Sequence, residues 1–301
     1  MIGIRLAVAA LALAAAGSAA AAEATLAKAA RTGEFVMGVR ERSYPLSYLD
    51  AAGAPIGYHV DVCRRIFEVV KARLNKPALQ LRTQVVTSQS RIPALVKGEI
   101  DIECGSTTNT AARQQEVAFA PTTFVTSVRV AVRRDAKVDS LAQLDGKPVV
   151  TTAGSTSVQL LQARQHGRSF RIEKLYGNDH AESFRMLEDG RAVAFAMDDN
   201  LLAGLIAYSA DPGRFRILDD VLSVEPIAIM VRKDDPEFKA VVDGTIREMM
   251  AKGDMATLYD KWFRSPIPPR QINLNVAMSG LLANLLRFPS DEPVENFRAT
   301  E

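Results

Sequence analysis

The stretch Thr87-Ser88-Gln89-Ser90-Arg91-Ile92-Pro93 sets a hydroxyl and a guanidinium three residues apart at a helix start. In a helical turn Ser88 and Arg91 lie on one side. The plainer reading is an N-cap and a solvated arginine. Glu103-Cys104-Gly105-Ser106-Thr107-Thr108-Asn109 carries a glycine that permits a tight exit from a strand, followed by the hydroxyls of Ser106 and Thr108. Arg113 can return to the same spot, and arginine pairs with a carboxylate through two parallel N–H donors. A polar turn with a surface arginine is the alternative. Tyr176-Gly177-Asn178-Asp179-His180 places His180 in the first turn of a helix, where a structural or surface role also fits. Asp198 ends a strand with Asp199 beside it, a pattern that by itself suits a helix N-cap.

Strand-like and helix-like segments alternate along the chain, which predicts an α/β fold. Strands are expected at Phe35–Arg40, Ser47–Leu49, Leu79–Val86, Ile100–Cys104, Val128–Val132, Val149–Thr152, Arg171–Leu175, Ala192–Met197 and Ile227–Val231. Helices are expected from Asp61, as cap, to Asn75; from about Ser88 to Gly98; from Gly154–Ser157 to about Gln165; and from Asp179 to Gly190. Two more follow at Pro236–Ala251 and Met255–Trp262. The polar clusters sit just after strands: Arg40, Ser106–Asn109, Gly154–Ser157 and Asp198. Open α/β sheets bind ligands outside the carboxyl ends of their strands. Some clusters also open helices, whose free N–H groups favour an anion. One site, built from both halves and receiving negative charge, is the expectation.

Composition narrows the class. Residues 1–22 carry Arg5, then an apolar run from Leu6 to about Ala16, then small residues to Ala22, the pattern of a cleaved secretory signal. No cysteine for a lipid anchor lies near the cleavage point, and no later run reaches transmembrane length. Removal of the leader leaves 301 − 22 = 279 residues, enough for two lobes, and takes the net charge from +2 to +1 with the loss of Arg5. That balance argues against nucleic acid as a partner. Nothing suggests a P-loop, a zincin motif or a cysteine pair spaced for a metal, so neither a cofactor nor a metal is expected. Export makes a bridge between Cys63 and Cys104 possible; two buried thiols are the alternative.

From residue 25 to about 275 the chain resembles the periplasmic glutamate/aspartate-binding proteins of the polar-amino-acid ABC importers. The resemblance is carried by Arg40-Glu41-Arg42-Ser43-Tyr44-Pro45-Leu46-Ser47-Tyr48, Thr87 to Pro93, Glu103 to Asn109, Ser183-Phe184-Arg185, Gly190 to Phe195 and Met197-Asp198-Asp199. Lys261-Trp262-Phe263 with Pro266-Ile267-Pro268-Pro269 is a further match. The resemblance implies the type II periplasmic binding protein fold: two α/β lobes joined by two crossing hinge strands. Lobe 1 would comprise 23–126 and 233–275, lobe 2 would comprise 127–232, and 276–301 would form a tail. It also implies roles. Arg113 with Thr108 would take the α-carboxylate, and Asp198 the α-ammonium. Arg40, Ser88, Arg91 and His180 would hold the side-chain carboxylate, and Ser106 and Thr156 would add contacts. At Ala153-Gly154-Ser155-Thr156 the wording departs from the family's, so Ser155 can share the role of Thr156. Arg42 adds a charge without an assigned partner. The implied partners are an acidic amino acid and an ABC permease, served by a periplasmic monomer.

The charges agree with this. Arg40, Arg91 and Arg113 oppose Asp198, as the two carboxylates and one ammonium of glutamate require. A neutral side chain would leave a buried arginine unpaired, at roughly 3–5 kcal/mol. Two rivals remain: a dehydratase-type enzyme on the same fold, with Glu182 and His180 as a proton-transfer pair, and a ligand-binding module for a sensor.

Overall fold

The computed structural model describes residues 23–166 and 171–297; the expected leader at 1–22 lies outside them, as do residues 298–301. The first part of the chain forms α1 (Thr25–Thr32), β1 (Glu34–Val39), β2 (Arg42–Ser43), β3 (Ser47–Leu49), β4 (Pro55–Ile56), α2 (Tyr58–Arg73), β5 (Gln80–Val85), α3 (Arg91–Val96), β6 (Ile102–Glu103) and β7 (Val117–Phe119). The middle forms β8 (Phe124–Arg133), β9 (Pro148–Thr152), α4 (Ser157–His166), β10 (Glu173–Gly177), α5 (His180–Glu188), β11 (Ala194–Asp198), α6 (Asp199–Tyr208), β12 (Phe215–Ile217) and β13 (Ser223–Ile227). The last part forms β14 (Met230–Arg232), α7 (Pro236–Lys252), α8 (Asp254–Phe263) and α9 (Gly280–Arg287).

Two large sheets result, one per lobe, beside a small one formed by β2, β3 and β4. The first runs β5-β1-β6-β14-β7, with β5, β1 and β6 parallel and β14 antiparallel to both neighbours. The second runs β10-β9-β11-β8-β12, with β13 also on β8. Parallel strands buried on both faces read as apolar runs, and Phe35, Met37 and Val39 of β1 pack with Ile66 and Val70 of α2 and Phe238 and Val242 of α7. Val130 and Val132, Val149, and Ala194 and Ala196 do the same in the second lobe.

The chain passes between the sheets twice, at 120–123 and at 228–229. These crossings lie side by side, with Ala120 N donating to Ile229 O at 3.0 Å and Thr123 N to Ile227 O at 3.0 Å. The single strand read at Ile227–Val231 is therefore two: Ile227 pairs with Phe124 in the second sheet, Met230 with Phe119 and Glu103 in the first. The apolar run continues unbroken through the crossing, so hydrophobicity carries no mark of it. The sequence boundaries at 126/127 and 232/233 fall a few residues downstream of the observed crossings.

A second correction concerns Asp61. The helix starts at Tyr58, after Gly57 at φ 134, and Asp61 lies in its first turn. The loop carbonyls of Pro45 and Leu46 accept from Tyr58 N and His59 N at 3.0 and 2.9 Å, so no side-chain cap is needed. Asp61 instead accepts from Lys261 Nζ at 2.6 Å and Trp262 Nε1 at 2.8 Å, tying α2 to α8.

Two devices brace the mouth of β6 against the hinge. Cys63 of α2 and Cys104 form a disulfide with Cα atoms 6.3 Å apart. His59, wholly buried, has Nδ1 at 2.5 Å from Gly105 O and Nε2 at 2.8 Å from Thr123 Oγ1. Tyr58 donates to Thr123 O at 3.0 Å, and Phe124 stacks on Phe263 at 4.8 Å. Outside, the tail crosses the hinge: Thr122 N donates to Ser290 O at 2.8 Å and Val294 N to Asn109 O at 2.9 Å.

The disulfide closes a span of 41 positions. Chain entropy assigns such a loop about 4 kcal/mol, with about 2–4 usual in practice. The Cys63→Ser/Cys104→Ser double variant is expected to lose that amount in urea unfolding, and an undiminished midpoint would contradict it. Burial holds His59 down at about 4, against the pull of its bond to Gly105. Unfolded, it protonates near pH 6.5; folded, only near 4. Stability carried by the neutral ring is full above about pH 6.5 and falls as the pH drops towards 4, by about 3 kcal/mol at the acid end. Unfolding of the wild type and His59→Asn at two pH values measures this. The variant should lose less on acidification, and equal losses would refute the burial argument.

Candidate ligand-binding site

The site is assembled where strands end, on both sides of the cleft. Arg40 follows β1, with its N–H given to Ser47 Oγ at 2.9 Å and its side chain buried. Its Nη2 donates to Ser88 Oγ at 3.1 Å and approaches His180 Nε2 at 3.2 Å. Arg91 opens α3 and donates from Nη1 to Ser106 O at 3.2 Å. Gly105 has no room for a side chain, since a Cβ would strike Glu103 Oε1 and Arg40 Cγ. That forces glycine at the exit of β6 and sets Ser106 and Thr108 against the arginines. Arg113 donates from Nη1 to Thr108 O at 2.8 Å and from Nη2 to Gly154 O of the other lobe at 3.1 Å.

The second lobe answers with three groups. Thr156 lies in the turn after β9 and donates to Glu225 Oε2 at 2.8 Å. Ser155 beside it turns its hydroxyl to Thr152 O at 2.7 Å. His180 is the first residue of α5, whose N-cap is Asp179. Asp198 is the last residue of β11 and precedes α6, but its side chain makes no capping bond. Among the described residues its carboxyl group makes no hydrogen bond at all, which sets aside the capping role that its position suggests.

Seven of the nine expected residues line one cavity: Ser88, Arg91, Ser106, Thr108, Thr156, His180 and Asp198. Arg40 and Arg113 join it through the bonds above. Met197 and Leu201 give the cavity an apolar wall. Arg42 lies outside, half-exposed beside Glu41.

The proton positions follow from donor counting. A guanidinium only donates, so His180 Nε2 accepts from Arg40. Nδ1 then carries the proton and donates to Thr152 Oγ1 at 2.9 Å, which continues to Ser183 Oγ at 2.9 Å and Asp179 O at 2.8 Å. Burial, then Arg40 and Arg91, push His180 well below the usual histidine range, so it is neutral. Burial lowers Arg40 to about 9, with Arg91 adding repulsion, and Arg113 to about 9 for the same reasons; burial lowers Arg91 too. Both arginines at about 9 stay protonated at neutral pH. Asp198 is pushed well above the carboxylate range by burial, then by Glu225 and Asp199. Arg40 Nη1 and Arg91 Nε are buried N–H groups without a partner among the described residues.

Two buried carboxylates were missed by sequence reasoning. Glu103, inside a quoted motif, accepts from Thr107 Oγ1 at 2.8 Å. Glu225, on β13, accepts from Thr108 and Thr156. A charged residue in the middle of Ser223-Val224-Glu225-Pro226-Ile227 was the one available signal, and no motif surrounds it. The Glu182–His180 proton-transfer pair does not form: Glu182 Oε2 accepts from Asn178 N and Nδ2, both at 2.8 Å. Among the described residues no group of three or more His, Cys, Asp or Glu is placed to hold a metal ion.

Residues 35–265 match the model of the bacterial extracellular solute-binding proteins, family 3. The glutamate/aspartate import solute-binding protein of Escherichia coli K12 is 42% identical over 269 residues, 89% of each chain. The L-glutamate/L-aspartate-binding protein of Pseudomonas aeruginosa PAO1 is 44% identical over 272 residues, 90% of each chain. A solved structure, of a mutant of ArgBP from T. maritima, superposes with a TM-score of 0.69 at 25% identity, over 79% of this chain and 98% of that one. The family match spans residues 35–265 and the named relatives match along most of their length: the chain belongs to the bacterial extracellular solute-binding proteins, family 3.

Proposed function

We propose that this chain captures L-glutamate or L-aspartate between its lobes in the periplasm, as a monomer freed of residues 1–22, and delivers it to an ABC permease. The observation that carries the reading is the gathering of buried Arg40 and Arg91, each with an unpartnered N–H, and half-buried Arg113 around one cavity, opposite an unbonded Asp198. Buried charges persist where a partner completes them. A dicarboxylic amino acid supplies two anions and one cation in one molecule.

The roles follow. Arg113, with the N–H of Thr108, holds the α-carboxylate. The bonds flanking Thr108 run from Asn109 N to Pro226 O and from Ala228 N to Thr107 O, which turns the N–H of Thr108 away from Ile227. Asp198 takes the α-ammonium, whose charge restores its ionised form. Arg40 Nη1 and Arg91 Nε take the side-chain carboxylate beside Ser88. Neutral His180 fixes the Arg40 guanidinium without adding a repelling charge. Ser106 and Thr156 complete the shell. The names of the relatives from E. coli and P. aeruginosa support the same ligands. Glu103 and Glu225 reduce the excess of positive charge that the sequence suggested, so selection rests on where each charge sits.

Calorimetric titration of protein stripped of ligand by unfolding and refolding tests this. L-Glutamate or L-aspartate should bind tightly and L-glutamine should not, because its amide N–H groups would face the unpartnered arginine N–H groups. Asp198→Ala and Arg113→Ala should each weaken the acid by about 2–5 kcal/mol. Silence toward both acids would sink the substrate assignment and leave the fold standing.

A further inference from the structure

Glu225 has no place in the roles above. It is 2% exposed, on β13 opposite Thr126 of β8, and the next two residues are bonded or bridged to the loop that carries Thr108. Its carboxylate position is therefore fixed by backbone from both lobes. One oxygen, Oε2, accepts from Thr108 Oγ1 of the first lobe at 2.7 Å and from Thr156 Oγ1 of the second at 2.8 Å. Thr108 and Thr156 line the cavity; Glu225 does not and lies behind them.

A hydroxyl has one proton and two lone pairs. With both protons committed to Glu225, the two threonine oxygens have only lone pairs left for the cavity. Lone pairs accept from an ammonium and repel a carboxylate. Resting on the proposed function, we propose that Glu225 is a positioning residue that turns Thr108 and Thr156 into acceptors and, with Asp198, makes the cavity demand an α-ammonium on its dicarboxylic ligand. The α-carboxylate of the ligand is then served by N–H donors, from Arg113 and the backbone, and the hydroxyls of Thr108 and Thr156 belong to the ammonium half of the site.

The test compares L-glutamate with glutarate, which is glutamate without its α-ammonium, by calorimetry on the mature protein. The wild type should prefer L-glutamate strongly. Glu225→Met keeps the length and removes the acceptor, freeing both hydroxyl protons. It should weaken L-glutamate by about tenfold or more while leaving glutarate unchanged or tighter. Glu225→Gln retains an oxygen that accepts both hydroxyls, and should restore most of the preference. Equal weakening of both ligands in Glu225→Met, or an unchanged ratio, overturns the inference, because a structural role alone moves both. If that variant does not fold, Thr156→Val with Glu225 in place makes the same distinction: it should weaken L-glutamate and spare glutarate, and any other pattern counts against the inference. A wild type that binds L-glutamate no better than glutarate overturns it as well. A wild type that binds no acidic amino acid overturns the proposed function itself, and this inference with it.

Discussion

Two buried guanidinium groups, with a third half-buried beside them, gather around one cavity and set the terms for everything around them. Each buried charge carries a desolvation penalty of several kcal/mol unless hydrogen bonds and counter-charges surround it. The protein meets that requirement mostly with backbone: Arg91 on Ser106 O, and Arg113 on Thr108 O and Gly154 O. Backbone carbonyls cannot titrate, and they move only if the lobes move. Arg40 is the exception, held by the side chains of Ser88 and His180. That histidine must be neutral, and the chain through Thr152 and Ser183 to Asp179 O keeps its proton on the far nitrogen.

The carbonyls are useful only if their loops hold still, which ties the site to the hinge. Gly105 O meets His59, whose other nitrogen meets Thr123 at a crossing. The disulfide fixes the neighbouring Cys104 to α2. On the outer side the tail bonds Thr122 at the crossing and Asn109 beside Thr108. Site loop and hinge are thus one braced unit in the first lobe. The second lobe reaches it across the cleft through Arg40 with His180, Arg113 with Gly154, and Thr108 with Glu225.

The site was legible in the sequence because its residues obey a positional rule. Arg40, Ser106, Thr108 and Thr156 follow strands and Asp198 ends one, where an open α/β sheet leaves polar groups facing a cleft, and the alternation of strands and helices was strong enough to place them. What escaped has physical causes. Glu225 stands inside a strand, and a strand position does not reveal which buried acceptor its carboxylate becomes. The crossing at 228–229 interrupts no apolar run. Asp61 looked like a cap, but loop carbonyls from Pro45 and Leu46 do that work, and such long-range partners leave no trace in local sequence. Whether Cys63 and Cys104 meet depended on how α2 packs on β6, which spacing cannot encode.

The few bonds across the cleft have a consequence for closure. Three of them join a first-lobe site residue to the second lobe, so closing the lobes also completes the site; Tyr208 adds others away from it, its hydroxyl donating to Pro268 O at 2.8 Å and its ring stacking on Tyr44 at 4.5 Å. A ligand that reaches Arg113 and Arg40 on one side and Asp198 on the other gains its full set of contacts only in the closed form. Its differential affinity for that form is what shifts the population, and moving a two-state equilibrium from 1:99 to 99:1 takes about 5.5 kcal/mol. Each of the three bonds at the site has one charged partner, and net hydrogen bonds of that kind are worth about 1.5–3 kcal/mol. They define the closed geometry, and an ionic ligand pairing with charges on both lobes adds to the bias. The share of closure that the ligand supplies is lost when the ligand leaves, so occupancy and closure rise and fall together.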